Sequence, residues 1–350
     1  MNNENFSSVC KNLEDSPRLW LVTGVAGFIG SHLLEELLKL NQKVIGLDNF
    51  ITGFESNLDE VKSLVSAKQW KNFSFFKGDI TSIEDCKKVF ALRPEFVLHQ
   101  AALGSVPRSI ENPIATNHHN VTGFLNVIEF AKNVRVKGFV YASSSAVYGD
   151  HPELPKVEER IGNCLSPYAV SKKIDEQYAD VFNLNYGFRA IGLRYFNVFG
   201  ARQSPNGPYA AVIPKWIDAL AGEQTVLING DGETSRDFCY VKNVVQANIL
   251  AAAGQTKTNA PKIFNIACGD RTTLNELYRI LKDLLVSINP NVKNAKATYQ
   301  DFRAGDVKHS LADISNAKQF LGYEPKVKIG EGLKECFAWY LSTPKAQKSS

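Results

Sequence analysis

The segment at residues 19–30, LWLVTGVAGFIG, constrains this chain more than any other. It reads as a short apolar strand, a turn holding Gly24, Gly27 and Gly30, and the start of a helix over residues 30–40. One glycine lets the chain turn tightly, another lets the backbone approach a pyrophosphate, and the third lets helix and strand pack closely. The helix N-terminus then offers free N–H groups and a positive dipole end to the phosphates. A glycine trio alone is also what any tight strand–helix turn needs, so context decides. Asp48 lies 18 residues after Gly30, at the end of the next strand in VIGLDNF. A carboxylate there binds the ribose hydroxyls and repels a 2′-phosphate, which favours NAD over NADP. Asp79, in KGDI after the third strand, is placed to meet the adenine amino group; its plainer alternative is a turn or helix cap.

Apolar runs at residues 19–23, 43–48, 73–78, 96–100 and 139–143 alternate with helical patterns. That alternation predicts an α/β fold, a Rossmann-type doubly wound parallel sheet, with ligands bound beyond the carboxyl ends of the strands. From Pro205 the texture changes. Residues 205–208 form a loop, Asn229-Gly230-Asp231-Gly232 is a hairpin signal, and a short strand at 224–228 precedes a helix at 273–285. This predicts a smaller α/β substrate-binding lobe, while residues 190–193 still supply a core strand. The expected division is a polar leader at 1–18, a mainly dinucleotide-binding domain at 19–204, a mainly substrate-binding lobe at 205–342 interleaved with it, and a polar tail at 343–350.

Net charge is +4, too small for 350 residues to suggest a nucleic-acid or membrane partner. No apolar run approaches the ~18 residues that span a bilayer, and the polar, acidic start does not resemble a signal peptide. Six scattered cysteines without a CxxC pair argue against disulfides and zinc and fit a reducing cytoplasm. His118 and His119 are adjacent but lack nearby ligand partners, so no metal is expected.

The chemistry points to PYAVSK, where Tyr168 and Lys172 are four residues apart and share one helix face. A free tyrosine, with its pKa near ~10, is a poor base at neutral pH. A neighbouring ammonium and a positive nicotinamide both favour the phenolate. Tyr and Lys at this spacing also occur by chance in many helices. Here, however, Ser144 lies 24 residues upstream in YASSSAVYGD, at a strand end, where its hydroxyl can share the substrate proton. Serines at strand ends usually cap turns, and Ser143 is the one expected to do only that.

In order and spacing, TGVAGFIG, LDNF, GDI, HQAA, SSSAVYG, YAVSK and LRYFNVFG resemble the extended short-chain dehydrogenase/reductase family. Within it the chain is similar to the UDP-hexose 4-epimerases, most of all to bacterial UDP-N-acetylglucosamine 4-epimerases, over residues 20–323. The resemblance implies Tyr168 as base, Lys172 as its electrostatic partner and Ser144 as hydroxyl relay. It implies that Gly24, Gly27, Phe28, Ile29, Gly30, Asp48, Asn49, Asp79, Ile80, Gln100, Ala101 and Ala102 line NAD, with Tyr195 and Val198 at the nicotinamide end. It gives Asn197 to the substrate diphosphate and Ala211, Val212, Arg236, Arg303 and Asp306 to the nucleotide-binding positions of the second lobe, where the arginine pair suits a diphosphate because guanidinium forks match its geometry. The plainer alternative for Arg236 is an ion pair with Asp231 or Glu233.

The implied reaction is reversible 4-epimerisation of a UDP-sugar through a 4-keto intermediate. A 4,6-dehydratase needs acid groups after the relay hydroxyl, and Ser145 and Ala146 stand there instead. A decarboxylase needs few extra groups and is less well separated. A non-catalytic nucleotide-sugar sensor would be expected to lack the Tyr–Lys pair. Ser310, in DVKHS, stands where epimerases limited to plain hexoses tend to carry a tyrosine, so an acetamido group fits. The segments around Ser105 and Gln203 also resemble the N-acetyl-preferring enzymes, and Ser145 and Gln203 are expected to bond that group. UDP-GlcNAc and UDP-GalNAc are therefore the expected pair. A homodimer, formed by the helix around 116–132 and the Tyr168-bearing helix, rests on the resemblance, since apolar helix faces are more often internal core.

Overall fold

The computed structural model describes residues 5–204, 211–254, 260–302 and 307–342. Its strands, in chain order, are β1 Leu19–Thr23, β2 Lys43–Asp48, β3 Phe73–Lys77, β4 Phe96–His99, β5 Gly138–Ser144, β6 Ala190–Tyr195, β7 Val198–Phe199, β8 Val226–Asn229, β9 Ser235–Arg236, β10 Cys239–Tyr240, β11 Ile263–Ile266, β12 Thr272–Thr273 and β13 Ala297–Gln300. Seven of them form one sheet in the order β11-β6-β5-β4-β1-β2-β3, and every pairing in it is parallel. Helices cover both faces, which is why β6 is buried along its whole length and β1 from Trp20 onward. The winding reverses between β1 and β4, where Thr23 lies beside His99. β11 joins this sheet from beyond residue 205, so the two halves of the chain interleave. Among the described residues, no helix is long and apolar enough to cross a membrane.

The glycine turn is built as its spacing implies. Gly24 has φ +68°, and a Cβ there would sit 2.7 Å from the Ala101 amide nitrogen. At Gly30 a Cβ would overlap the Gly24 carbonyl. The Gly30→Ala variant is accordingly expected to lose about 3 kcal/mol of stability by denaturant titration, because neither backbone segment can yield cheaply.

Several expectations need correction. The polar leader contains a helix, Phe6–Asp15, capped by Asn5 and burying Val9 and Leu13. Its average polarity hid a stripe at Phe6, Val9, Cys10 and Leu13, spaced i, i+3, i+4, i+7, that packs against the Val241–Ala253 helix. The Asn229-Gly230-Asp231-Gly232 turn closes no hairpin. β8 pairs in parallel with β13 and β9 antiparallel with β12, so distant pairing overrides the local signal. The strand expected at 190–193 runs on to Tyr195, because Arg194 and Tyr195 find buried polar partners. The helix expected at 116–132 is interrupted by a π turn at His118–Thr122, between helices Pro113–Asn117 and Gly123–Val134. Within that turn, Asn120 is drawn inward to bond both the amide and the carbonyl of Leu103 and the Ser171 hydroxyl. The loop at 205–208 and the tail at 343–350 lie outside the described residues.

Candidate active site

A cleft of about 480 Å³ opens at the carboxyl ends of β1 and β4, where the winding reverses. Gly24, Gly27, Phe28, Ile29 and Gly30 form one wall, with Asp48, Asn49 and Ile80 beyond them. Gln100 and Ala101 lie directly against Gly24, and Ala102, Ser144, Tyr168, Lys172, Tyr195, Val198 and Gln203 complete the lining. The Phe28–Lys39 helix begins at Gly27 with no side-chain cap, so its first amides are available to a pyrophosphate. Asp48 accepts from the Ala26 amide at 2.9 Å and the Phe50 amide at 2.8 Å, which ties the glycine turn to the end of β2. Burial pushes its carboxyl up, against the pull of those amides. These donors, the glycine cradle and the carboxylate together suit NAD.

Asp79 stands behind this wall rather than on it. Its carboxylate accepts from Asn49 Nδ2 at 2.7 Å and from the Thr81 amide and hydroxyl at 2.8 Å. Burial acts to raise its carboxyl, but those hydrogen bonds outweigh it and hold the group below its ordinary value. The turn role foreseen as its alternative is therefore present, and Asp79 orients Asn49.

Local sequence explains how Tyr168, Lys172 and Ser144 are held. Ser166 caps the Pro167–Tyr186 helix by accepting from the Ala169 amide at 3.1 Å, and Pro167 fits its first position, so Tyr168 falls in the first turn. Lys172 follows one turn later and is only 2% exposed. Of the two serines ending β5, it is Ser144 that makes the turn cap expected of Ser143. Ser144 caps the following 3-10 turn by accepting from the Ala146 amide at 3.1 Å, which leaves its own proton to be donated into the cleft. Ser143 donates to Glu176 Oε1 at 2.6 Å. Glu176 in turn holds Arg194 through two bonds of 2.9 and 2.8 Å. Beneath the cleft, His99 lies 2.8 Å from the Thr23 hydroxyl, and burial with the Lys172 charge lowers its pKa to about 3, so it stays neutral.

Two further cavities adjoin the cleft. One, of about 610 Å³, is lined by Asn197, Val198, Gln203, Ala211, Val212 and Arg236. The other, of about 580 Å³, contains Ser144, Ser145, Tyr168, Asn197, Arg236 and Ser310. Tyr168 and Ser144 are shared with the cleft, and Asn197 and Arg236 with the second cavity. The three spaces thus adjoin one another around Tyr168, Ser144, Asn197 and Arg236. Arg236 Nη1 donates to the Ser235 carbonyl at 3.0 Å and the Lys308 carbonyl at 3.3 Å. Ser105 lies outside these spaces and caps the Val106–Glu111 helix by accepting from the Arg108 amide at 3.2 Å. Arg303 and Asp306 lie outside the described residues. Sequence reading missed Asn120, the Glu176–Arg194 pair and Asp175, whose Oδ2 accepts from Lys172 Nζ at 3.3 Å. Only Asp175 carried a signal, an acid three residues after the lysine on one helix.

Residues 20–267 match the model of the NAD dependent epimerase/dehydratase family. A UDP-N-acetylglucosamine 4-epimerase from Methanobrevibacter ruminantium, solved with UDP-N-acetylmuramic acid, superposes with a TM-score of 0.83 at 39% identity, covering 93% of this chain and 99% of that one. A UDP-glucose 4-epimerase from Thermotoga maritima, solved with UDP-glucose, gives 0.83 at 36% identity, with 92% and 98% covered. A UDP-glucuronate 4-epimerase from Thermodesulfobacterium geofontis is 35% identical over 322 residues, 91% of this chain and 95% of that protein. Turn, sheet order, cleft and matches agree: the chain belongs to the NAD-dependent epimerase/dehydratase family, with NAD as its cofactor, and its likeness within that family is to the UDP-sugar 4-epimerases.

Proposed function

We propose that this enzyme interconverts the C4 epimers of a UDP-linked sugar, with UDP-GlcNAc and UDP-GalNAc as its pair. NAD supplies a hydride acceptor that returns the same hydride, so no outside oxidant is consumed. Tyr168 takes the proton from O4, and the Ser144 hydroxyl shares it while charge develops there. Lys172 supports the phenolate. Asn197 and Arg236 grip the diphosphate, so the ketose is free to roll over in the cavity beside Tyr168.

The observation that carries the acetamido reading is the small polar wall of that cavity. Ser145 and Ser310 line it, leaving room beside the ring. Gln203 lines the adjoining cleft and second cavity rather than this one; its Oε1 is buried and has no hydrogen-bond partner among the described residues, an acceptor suited to an amide N–H. A carboxylated sugar is the second reading, favoured by Lys156, which lines the same cavity, is 4% exposed and donates to the His151 carbonyl. Incubation with UDP-GlcNAc, UDP-GalNAc, UDP-glucose, UDP-galactose and UDP-glucuronate separately, without added cofactor, tests both. Fastest inversion of the acetamido pair supports the first reading; fastest inversion of the uronate supports the second. A 4-keto-6-deoxy product would replace both with a dehydratase.

The same proposal includes a homodimer. Helices Val106–Glu111 and Pro113–Asn117 pack on the Pro167–Tyr186 helix, yet Ile114 is 82% and Leu184 81% exposed. Adjacent Ile110 and Val181 are exposed as well, an apolar face of the kind that a second copy covers. The double variant Ile114→Glu with Leu184→Glu is expected to halve the mass measured by light scattering. An unchanged mass would remove this face from the assembly.

A further inference from the structure

Behind Tyr168 and Lys172 lies a carboxylate that the reaction above does not use. Asp175 has no exposed surface, and its Oδ2 accepts from Lys172 Nζ at 3.3 Å. Its Oδ1 is buried without a hydrogen-bond partner among the described residues, and so is the Tyr141 hydroxyl of β5, which lies within electrostatic reach of it. Taking an ammonium and a carboxylate out of water together is costly, and such a pair often stabilises no better than apolar side chains of similar size. A pair kept here, with one oxygen unsatisfied, makes poor sense as an anchor for the helix. It makes better sense through what it does to Lys172.

We infer that Asp175 is a positioning residue for the proposed epimerisation: its carboxylate fixes the Lys172 ammonium and offsets part of that charge at the Tyr168 hydroxyl, and so sets the pH at which turnover rises. The inference rests on Tyr168 being the base. Lys172 and Glu176 of its own helix act on Asp175 directly. Glu176 is tied to Arg194 of β6, Tyr141 faces it from β5, and His99 of β4 bears on Lys172. The other elements packed on this helix carry Arg108 and Glu111, His118 and His119, Tyr148, and Glu129 and Lys132.

Burial pushes the Asp175 carboxyl up to about 7, with Lys172 opposing the rise and Glu176 adding to it. Below that pH the neutral acid leaves the Lys172 charge unopposed at Tyr168. Above it the carboxylate offsets that charge and so weakens the support that Lys172 gives a Tyr168 phenolate. Tyr168 and Asp175 are seven residues apart on one helix, about 10 Å along its axis, and at an effective dielectric near 20 such an interaction is worth about one pH unit.

The test compares wild type with Asp175→Asn and Asp175→Glu. The acid limb of kcat/KM is measured against pH with a UDP-sugar. Tyrosinate absorbance is titrated in parallel without substrate, and the Tyr168→Phe titration is subtracted to isolate Tyr168. The inference expects both midpoints to fall by about one pH unit in Asp175→Asn and to return toward wild type in Asp175→Glu. Should Asp175→Asn not fold, Asp175→Ser removes the same charge with a smaller side chain. Midpoints that stay fixed in a folded, charge-free variant overturn the inference, even if the rate falls. If no UDP-sugar is turned over, the absorbance titration still decides on Asp175, and only the epimerase reading fails.

Discussion

Replacing Tyr168 by Phe is expected to lower turnover about 10³-fold while NAD and the UDP-sugar still bind. Tyr168 and Ser144 are common to the cleft and the cavity beside it, and under the proposed reaction the phenol oxygen takes the O4 proton. The ring itself stays in the variant, so packing of the first helical turn is preserved, and the Ser166 cap does not depend on the hydroxyl. Ser144 does not replace it: a serine hydroxyl is a far weaker base, and its oxygen is already bonded to the Ala146 amide. Turnover is read by product analysis, and binding by protein-bound NAD absorbance and calorimetry with UDP. A fall in binding that matches the fall in rate would mean that Tyr168 shapes the site rather than reacts in it. An unchanged rate would remove it from the mechanism.

The second large effect is expected from Ser310→Tyr, which should cut conversion of the acetamido pair about 100-fold while plain hexoses lose no more than a few-fold. Ser310 is half-buried on the wall of the cavity that contains Tyr168, and its amide donates to the Ser235 carbonyl, so its position is fixed by the β9 segment. A phenol ring there occupies the space beside the sugar. Overpacking a defined pocket costs about 1–3 kcal/mol, and the upper part of that range corresponds to the stated loss. The measurement is kcat/KM for UDP-GlcNAc and UDP-glucose in both proteins. Equal losses for the two substrates would mean that residue 310 does not sense the 2-substituent. A selective loss identifies the cavity wall as the part of the protein that chooses the sugar.

What could be read from the chain was whatever depends on neighbours in sequence. The strands at β1 to β5 announce themselves as apolar runs, the glycine turn as a spacing, and Tyr168 with Lys172 as one helix face. What could not be read depends on partners brought from elsewhere. Arg194 looks like the polar end of a strand until Glu176, 18 residues earlier, is folded against it. Asn120 looks like an ordinary helix residue, and only the approach of Leu103 and Ser171 turns it inward and opens the π turn. The Asn229–Gly232 segment has hairpin chemistry, yet β13 and β12, both later in the chain, capture the two strands it joins. The helix at Phe6–Asp15 was concealed by averaging, since its four apolar positions are outnumbered by polar ones in FSSVCKNLED. Among the site residues, the same division holds. Glycines and the Tyr–Lys pair are legible, whereas Ser105, Asp79 and the two β5 serines show their duties only when their hydrogen-bond partners are known.

The claim on which the account depends is that the hydrogen leaving C4 returns to C4 of the same sugar, from the other side, after Tyr168 has taken the O4 proton. It is tested most directly by supplying UDP-GlcNAc deuterated at C4, with no added cofactor, and following the product by NMR. The account predicts UDP-GalNAc that keeps the deuterium at C4. Inverted product that has lost the deuterium to solvent, or product oxidised or dehydrated and never inverted, would contradict it.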